Sequence, residues 1–289
     1  MTRAGLTVLL ERGPVVLDGG LATELERLGH DLGDRLWSAR LLRDRPADVE
    51  AVHRAYFEAG ADVAISAGYQ ATYEGFAAVG IGREETTRLL RLSVELARRA
   101  RDAVRPGGLV AASVGPYAVV LADRSEYTGD YHGASEERIA AVHRPRIDAL
   151  LAAGPDVLAF ETVPAIAEVR ALAGLLGGEV DAWMTFCCRD GERLSDGTPV
   201  EEAVRAATAG GPLTALGVNC TEPRFVAQLL ERMRACTDLP LLAYPNGVAP
   251  IEPDAVARWH ELGADGIGGC CRVGPATIST IAATLTGNA

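Results

Sequence analysis

The sequence contains no lysine, since all 28 residues counted as Lys or Arg are arginines. An enzyme that forms a Schiff base needs a lysine amine, so this absence excludes most pyridoxal phosphate enzymes and the lysine-dependent aldolases.

Acidic residues outnumber basic ones by 39 to 28, which gives a formal net charge of −11, and no basic block interrupts the chain. Because nucleic-acid binding relies on clustered positive charge, we expect no nucleic-acid partner.

Long hydrophobic runs are also missing. No apolar run approaches the ~20 residues that a membrane span needs, and the apolar stretch near the N-terminus is too short for a signal peptide. We therefore expect a cytoplasmic protein without a membrane partner, of unspecified oligomeric state. Thiols stay reduced in that compartment, so the six cysteines indicate metal binding, reactive chemistry or small buried fillers rather than disulfides.

Short apolar runs alternate with longer amphipathic stretches along the chain. Near-continuous runs of Val, Ile, Leu and Ala predict parallel strands buried on both faces. These runs are Val15–Gly20, Asp62–Tyr69, Leu109–Pro116, Asp156–Val163, Ala182–Cys188, Ala215–Cys220, Pro240–Asn246 and Asp265–Cys271. A helical pattern follows each, which predicts an α/β protein with one (β/α)8 TIM barrel domain over residues 1–289. A doubly wound sheet is the alternative, but Asp18-Gly19-Gly20-Leu21 is not its GxGxxG fingerprint.

Five of the six cysteines fall at the predicted C-terminal ends of strands, where a barrel carries its chemistry. Cys220 ends the sixth strand, and Cys270 and Cys271 end the eighth. Three thiolates that converge on one point would make a zinc site with one open position. Cys270 and Cys271 can both be ligands only if the backbone turns, which Gly268 and Gly269 permit. Alternatively, one of the pair is a small buried hydrophobe.

The remaining cysteines and the histidines are weaker candidates. Cys187 and Cys188 compete as ligands, but alternation along the fifth strand favours packing or a redox-sensitive thiol for them. Cys236 ends a predicted helix and is interpreted as structural. None of the five histidines stands at a predicted strand end, so we expect no histidine ligand.

Two carboxylates also stand at strand ends, Asp18 after the first strand and Glu161 in the fourth. An all-thiolate zinc ion suits an incoming thiol, which would bind as a thiolate and serve as the nucleophile, so that no separate protein nucleophile is needed. Asp18 and Glu161 could then hold the ammonium group of an amino-acid substrate. The alternatives are an Asx turn for Asp18 and an N-terminal helix partner for Glu161.

One irregular stretch, about Tyr117–Ala134, is long for a compact barrel. Loops of this size are often functional lids, and a solvated surface loop is the alternative. The sequence alone leaves both open.

Motifs spread over almost the whole chain resemble the homocysteine S-methyltransferase family. They are LDGGLATELE (17–26), LWSARLL (36–42), GYQATYEGF (68–76), SVGPY (113–117), LADRSEYTGDY (121–131), FETVP (160–164), LSDGTP (194–199), GVNC (217–220), YPNG (244–247) and IGGCCR (267–272). The pair GVNC and GGCCR is highly specific. SEYTGDY and LSDGTP are most similar to the branch that uses S-methylmethionine or S-adenosylmethionine rather than betaine or a folate.

The resemblance implies a zinc-dependent enzyme on a (β/α)8 barrel, with Zn²⁺ held by Cys220, Cys270 and Cys271. The implied reaction moves a methyl group from a sulfonium donor, S-methylmethionine or S-adenosylmethionine, to the thiol of L-homocysteine. The product is methionine, so the implied role is methionine biosynthesis with small-molecule substrates as the only partners.

The resemblance also implies roles for residues around the metal. Asp18, Gly19 and Glu161 would bind the amino and carboxylate ends of homocysteine. Trp37 would lie at the donor side, where its ring face suits a sulfonium cation. For Trp37 the alternative is an anchor that packs on the barrel.

Some positions depart from the family pattern. Gly68 stands where the family usually has a hydroxyl residue, and the stretch after Asn246 is short. These departures motivate two alternatives. One is the same chemistry on a different thiol or selenol acceptor, and the other is a non-catalytic protein that holds zinc.

Overall fold

The computed structural model describes residues 5–33 and 36–287, which form eight parallel strands in one sheet. The strands are β1 (Val15–Val16), β2 (Val63–Ile65), β3 (Leu109–Val114), β4 (Val157–Val163), β5 (Asp181–Phe186), β6 (Ala215–Asn219), β7 (Leu241–Tyr244) and β8 (Ala264–Ile267). Neighbouring strands pair in sequence order, and β1 pairs with β8. A parallel bridge between Leu17 and Val63 links β1 to β2 and closes the sheet. The TIM barrel prediction is confirmed, and the doubly wound alternative is wrong.

Helices separate the strands. They are α1 (Leu6–Leu10), α2 (Leu21–Arg27), α3 (Leu41–Asp44), α4 (Pro46–Glu58), α5 (Tyr73–Ala77), α6 (Arg83–Val104), α7 (Ala118–Leu121), α8 (Glu136–Leu151), α9 (Ile166–Ala173), α10 (Val200–Gly210), α11 (Pro223–Arg234), α12 (Pro253–Glu261) and α13 (Pro275–Leu285), with 3-10 turns at Trp37–Arg40 and Ser125–Tyr127. Sequence reasoning missed the short helices, because four to seven residues give too few periods to detect. Within the described ranges, no helix is long and apolar enough to cross a membrane.

The predicted strands extend too far at their C-terminal ends. The run Val15–Gly20, for example, is a strand only over Val15–Val16. Leu17 makes one further bridge, to Val63, and Asp18, Gly19 and Gly20 then form the turn at the barrel mouth. The site therefore lies on the turns just beyond the strands.

Side chains alternate between the barrel interior and the outer helical layer. Val15 and Leu17 join the inner cluster, in which Trp183 is fully buried, whereas Val16 packs in the outer cluster. Leu6 of α1 joins the inner cluster as well. This period of two is the pattern expected of strands buried on both faces. The single-domain organisation over residues 1–289 stays a prediction.

The long loop after β3 is tied to the barrel by one buried carboxylate, Glu168 of α9. Its Oε1 accepts the backbone N–H of Tyr117 at 2.6 Å and lies 2.7 Å from Nε2 of His143. Its Oε2 accepts the hydroxyl of Tyr131. The rings of Tyr117 and Tyr131 meet edge to face, with centroids 5.2 Å apart. Both ends of the 117–131 loop are therefore held at one point.

The variant Glu168→Ala is expected to lower the free energy of unfolding by about 3 kcal/mol or more, because unpaired buried donors cost about 1–3 kcal/mol each. Urea denaturation measures this change. The matched control is Glu26→Ala on the exposed side of α2, which should stay within about 0.5 kcal/mol of the wild type. Equal stability of the two variants would contradict this structural role of Glu168.

Candidate metal and substrate site

Three sulfur atoms meet at the mouth of the barrel. The Sγ atoms of Cys220, Cys270 and Cys271 all lie within 4.8 Å of one another, and those of Cys220 and Cys271 are 3.8 Å apart. Cys220 is buried, and the other two cysteines are partly buried. The three residues that sequence reasoning selected as metal ligands are thus brought together.

The backbone beyond β8 turns so that two adjacent cysteines can face the same point. The N–H of Cys270 donates to the carbonyl of Pro245 at 2.8 Å, and the carbonyl of Cys271 accepts from Gly247 at 2.7 Å. On the β6 side, Cys220 has a φ of 49°, in the left-handed region. Such a conformation costs of order 1 kcal/mol or more in a non-glycine residue. The surrounding structure therefore pins the direction of this side chain.

The donor set fits a zinc ion. Two Zn–S bonds of about 2.3 Å at a tetrahedral angle place their sulfurs about 3.8 Å apart, and the Cys220–Cys271 separation is 3.8 Å. The hydrogen bond from Cys220 lowers the pKa of Cys271 to about 3, while hydrogen bonds to the other two sulfurs raise the pKa of Cys220. The pKa of Cys270 is raised as well, so the three thiols can all ionise only beside a cation, and zinc prefers thiolate ligands.

Asn219, at the end of β6, organises the residues beneath the cluster. Its Oδ1 accepts from the N–H of Thr162 at 2.7 Å and from the hydroxyl of Thr185 at 2.9 Å. Its Nδ2 donates to the Thr162 hydroxyl at 2.8 Å and faces Sγ of Cys270 at 3.9 Å. Sequence reasoning quoted Asn219 within GVNC but gave it no role. The sequence could have indicated a role for Asn219, because it is a polar residue directly before the candidate ligand Cys220.

Asp18 lies buried at the end of β1, with 2% of its surface exposed. Its Oδ2 accepts the N–H of Ile65 at 2.8 Å, whereas no described residue donates a hydrogen bond to its buried Oδ1. The carboxyl therefore reaches across to β2 and does not close the local Asx turn. Burial raises its pKa well above the usual range, and the negative charge of Glu161 adds to the shift. This carboxyl is suited to a cationic ligand group.

Glu161 projects from β4 and is also buried, with 6% exposed. Its Oε1 accepts the hydroxyl of Ser113 on β3. Burial raises the pKa of Glu161 to about 7, against the opposing effects of the Ser113 hydrogen bond and the charge of Arg146. Its partner is thus on the neighbouring strand, and the interpretation as a helix partner finds no support in these contacts.

Gly19 and Gly68 stand where backbone segments approach closely. A Cβ at Gly19 would lie 2.5 Å from the carbonyl oxygen of Val273, and one at Gly68 would lie 2.6 Å from that of Ser113. Real Cβ atoms essentially never come so near. A hydroxyl residue at position 68 would therefore need the backbone to shift.

Arg146 of α8 holds the β2 turn from below and was missed by sequence reasoning. Its guanidinium is buried and donates to the carbonyls of Gly68, Tyr69 and Gly115, each at 2.7 Å. Burial lowers its pKa to about 10. The sequence indicates a buried role for Arg146 only through its position, as a charged residue on the apolar face of a predicted helix.

Trp37 is half-buried and packs against the outer core. Its ring meets that of Tyr69 edge to face at 6.5 Å. Burial raises the pKa of Tyr69, and the charge of Cys220 adds to the shift, so this aromatic pair is close to the sulfurs. Both interpretations of Trp37, a core anchor and a donor-side ring, are compatible with this position.

The other cysteines and the histidines lie outside the cluster. Cys187 is buried with Sγ 3.9 Å from the carbonyl oxygen of Cys220, and Cys188 packs into the outer core. Cys236 packs against that core too. His53 and His143 are buried in helices, and no described histidine joins the metal-ligand group.

Known proteins resemble this chain over nearly its whole length. A profile of the family described as homocysteine S-methyltransferase matches residues 15–285. Homocysteine S-methyltransferase YbgG of Bacillus subtilis (strain 168) is 44% identical over 295 residues, covering 93% of each chain. Selenocysteine Se-methyltransferase of Brassica oleracea var. italica is 39% identical over 305 residues, covering 93% of this chain and 88% of that one.

A solved structure agrees with the fold. The metallated form of the homocysteine methyltransferase MmuM from Escherichia coli matches with a TM-score of 0.90 at 45% identity, covering 96% of this chain and 98% of that one. The barrel, the three-sulfur cluster and these relatives define the class of the protein, which is a methyltransferase. The chain belongs to the homocysteine S-methyltransferase family, so the resemblance found in the sequence is confirmed.

Proposed function

We propose that this protein transfers a methyl group from a sulfonium donor to the thiol of L-homocysteine and releases methionine. The observation that carries the proposal is the convergence of the Cys220, Cys270 and Cys271 sulfurs within 4.8 Å at the barrel mouth. These residues would hold Zn²⁺. When bound, the ion would supply the positive charge that keeps a substrate thiol deprotonated at neutral pH, although a free thiol has a pKa near ~8.5.

The acceptor's amino-acid end would bind the two buried carboxyls. The substrate ammonium would donate to the open Oδ1 of Asp18, and this charge would offset the burial that raises the pKa of Asp18. Glu161 would add a second acceptor from β4. Gly19 would let the β1 turn approach the substrate carboxylate, because no Cβ stands in the way.

The donor would enter from the side of Trp37, with the ring of Tyr69 beside it. An aromatic face attracts a sulfonium cation by the same electrostatics as it attracts an ammonium ion. The acceptor sulfur attacks the methyl carbon, the bond from that carbon to the donor sulfur breaks, and the donor leaves as a neutral thioether. The protein's part is to align the two sulfurs on either side of the methyl carbon.

A selenol acceptor is the second candidate. One relative is named selenocysteine Se-methyltransferase, and Gly68 departs from the family pattern beside the pocket. The third candidate, a zinc-holding protein without activity, would bind homocysteine and leave it unchanged.

The proposal further places the protein in the cytoplasm with small-molecule partners, because its thiols must stay reduced.

A methylation screen on zinc-loaded protein tests the proposed function. S-methylmethionine and S-adenosylmethionine are each offered with homocysteine and with selenocysteine, and the methylated products are measured by mass spectrometry. We expect methionine to form fastest from homocysteine. Faster methylation of the selenol at equal concentration of the reactive form would favour the second candidate, and no methylation of any acceptor would overturn the proposal.

The pH dependence of acceptor binding tests the role of Glu161. Because burial raises the pKa of Glu161 to about 7, its carboxyl ionises as the pH rises through about 7, and homocysteine affinity should rise in that range. Thiol deprotonation contributes in every variant, so the comparison is with Glu161→Gln, whose profile should be flatter. Calorimetric titration at several pH values measures both. Parallel profiles would refute this role.

The same group has an effect on stability whose sign can be checked. The folded protein retains the Glu161 proton between the usual carboxyl pKa of about 4.3 and the folded value of about 7, whereas the unfolded chain releases it. This contribution to stability is therefore present at low pH and is lost as the pH rises through about 7. Glu161→Gln should reduce that slope in urea denaturation.

A further inference from the structure

Two turns at the barrel mouth carry the groups that the proposed function needs. The acceptor turn, residues 18–20 after β1, carries the carboxyl of Asp18. The metal turn, residues 270–273 after β8, carries two of the three sulfurs. The regular ladder between the two strands ends at Val16 and Ile267. Contacts beyond the ladder therefore set the distance between the two turns.

Backbone hydrogen bonds join the two turns directly. The N–H of Gly269 donates to the carbonyl of Asp18 at 2.9 Å, and the N–H of Gly20 donates to the carbonyl of Val273 at 2.9 Å. A Cβ at Gly20 would lie 2.6 Å from the carbonyl oxygen of Cys270. Because the two backbones are in contact, a shift of one turn would shift the other.

One buried tyrosine links both turns. Tyr56 of α4 is fully buried, and its hydroxyl lies 3.0 Å from the carbonyl oxygen of Gly20 and 2.9 Å from that of Val273. Burial raises the pKa of this hydroxyl above its usual range, and the charge of Asp18 adds to the shift, so the hydroxyl stays a donor. Its ring packs against Gly19, where a Cβ would lie 2.8 Å from Cε1. One hydroxyl shared by two carbonyls thus holds the two turns at one separation.

Thr23 of α2 makes a second side-chain link to the metal turn. Its Oγ1 accepts the N–H of Arg272 at 2.8 Å. Arg272 directly follows Cys271, and its φ of 66° lies in the left-handed region. The bond from Thr23 therefore supports an unfavourable conformation next to a candidate metal ligand.

We propose that Tyr56 is a positioning residue that sets the distance between the Asp18 carboxyl and the metal-binding sulfurs, and with it the length of the amino-acid thiol that the site accepts. Thr23 supports the same distance. This inference rests on the proposed function, since it takes an amino-acid thiol to bridge Asp18 and the metal.

The chain length of the acceptor matters because both of its ends must bind at once. The ammonium must reach the carboxyl of Asp18 while the sulfur reaches the metal. Homocysteine has two methylene groups between Cα and sulfur, whereas cysteine has one, so a fixed separation favours one of them. Selenocysteine, the second candidate acceptor, has the short chain of cysteine. The same distance therefore decides between the two candidates.

The variant Tyr56→Phe keeps the ring and removes only the hydroxyl. Both carbonyls keep another partner, because Val273 accepts from the N–H of Gly20 at 2.9 Å and Gly20 accepts from that of Glu24 at 3.2 Å. The variant should therefore fold, with turns that are less firmly held. Thr23→Val removes the second link and keeps the shape of the side chain.

The test measures the binding of homocysteine and of cysteine by calorimetry, without a methyl donor. Zinc content is determined for each protein, so that only fully loaded proteins are compared. The wild type should bind homocysteine roughly tenfold more tightly, the effect of one methylene group in a fitted site. Tyr56→Phe should lower this ratio roughly two- to tenfold, the equivalent of one hydrogen bond, and Thr23→Val should lower it as well.

Tyr73→Phe is the matched control, because it also removes a tyrosine hydroxyl from a hydrogen bond, here with Thr87 on α6 at 2.8 Å, and should keep the full ratio. Equal weakening of both thiols in Tyr56→Phe, or a ratio that does not fall, would overturn the inference. A wild type that binds both thiols equally would also overturn it, even if it methylates homocysteine. A ratio that falls in both variants of a protein that transfers no methyl group would support the inference and contradict the proposed function.

Discussion

Replacing Cys220 by serine is expected to abolish both zinc retention and methyl transfer. A serine hydroxyl stays protonated at neutral pH and is a hard donor, so the site would lose one of three soft anionic ligands. Loss of a contact that only supports a metal ligand costs about 10–100-fold in affinity or activity, and loss of the ligand itself should cost more. Metal analysis after dialysis against a chelator, together with the methylation rate, measures the effect.

Cys236→Ser is the control for this experiment. Cys236 packs against the outer core away from the cluster, so this variant should keep its zinc and its rate. Circular dichroism of both variants shows whether the barrel is intact. A Cys220→Ser protein that is folded, retains zinc and transfers methyl groups would refute the ligand assignment.

Replacing Asp18 by asparagine should weaken homocysteine binding by roughly 10–150-fold, the equivalent of the 1.5–3 kcal/mol that a hydrogen bond to a charged group contributes. Asparagine can keep the hydrogen bond from the Ile65 N–H. Its amide nitrogen would then stand at the open Oδ1 position and offer N–H groups where the substrate ammonium needs an acceptor. The KM for homocysteine measures the loss.

The matched comparison for Asp18→Asn uses 4-mercaptobutanoate, which is homocysteine without its amino group. This thiol should react equally well with the wild type and the variant, because it has no ammonium for Asp18 to bind. An equal loss for both thiols would show that Asp18 acts through the fold and not through the amino group. No loss for either would remove it from the acceptor site.

The sequence predicts the barrel because strands buried on both faces leave near-continuous apolar runs that are separated by helical periods. The convergence of Cys220, Cys270 and Cys271 also follows, since the carboxyl ends of parallel strands meet at one edge. The strand ends were placed too late, as at Val15–Gly20, because the residue types do not show where the hydrogen bonds between strands end and the mouth turns begin. Turn conformations such as the φ of 49° at Cys220 cannot be predicted from the hydrophobic pattern of the sequence.

The supporting residues could not be predicted, because their contacts join distant parts of the chain. In the sequence Arg146 looks like an ordinary helix residue. In the structure it donates to the carbonyls of Gly68 and Tyr69 in the turn after β2. Glu168 likewise reads as a first-turn acid of a helix, and its partners come from the loop after β3 and from α8. Periodicity marks which face of a helix is buried and does not identify what a buried charge contacts.

The structure also explains one departure from the family pattern. Gly68 stands where the family usually has a hydroxyl residue, and a Cβ at this position would lie 2.6 Å from the carbonyl oxygen of Ser113. The hydroxyl of Ser66 lies 3.4 Å from the same Cβ position, and the hydroxyl of Ser113 on β3 donates to Glu161. The close approach of the β2 turn to β3 therefore accounts for the glycine at position 68.

The most direct test of the central claim is whether zinc and the acceptor thiol bind the same site. Zinc affinity is measured by competition with a chromophoric chelator, alone, with homocysteine and with homoserine, its oxygen isostere. Two ligands that stabilise each other's binding must do so reciprocally. We predict that homocysteine tightens zinc binding by at least about tenfold, the effect of a favourable coupling of about 1.4 kcal/mol, while homoserine does not. Equal zinc affinity under all three conditions would contradict the account.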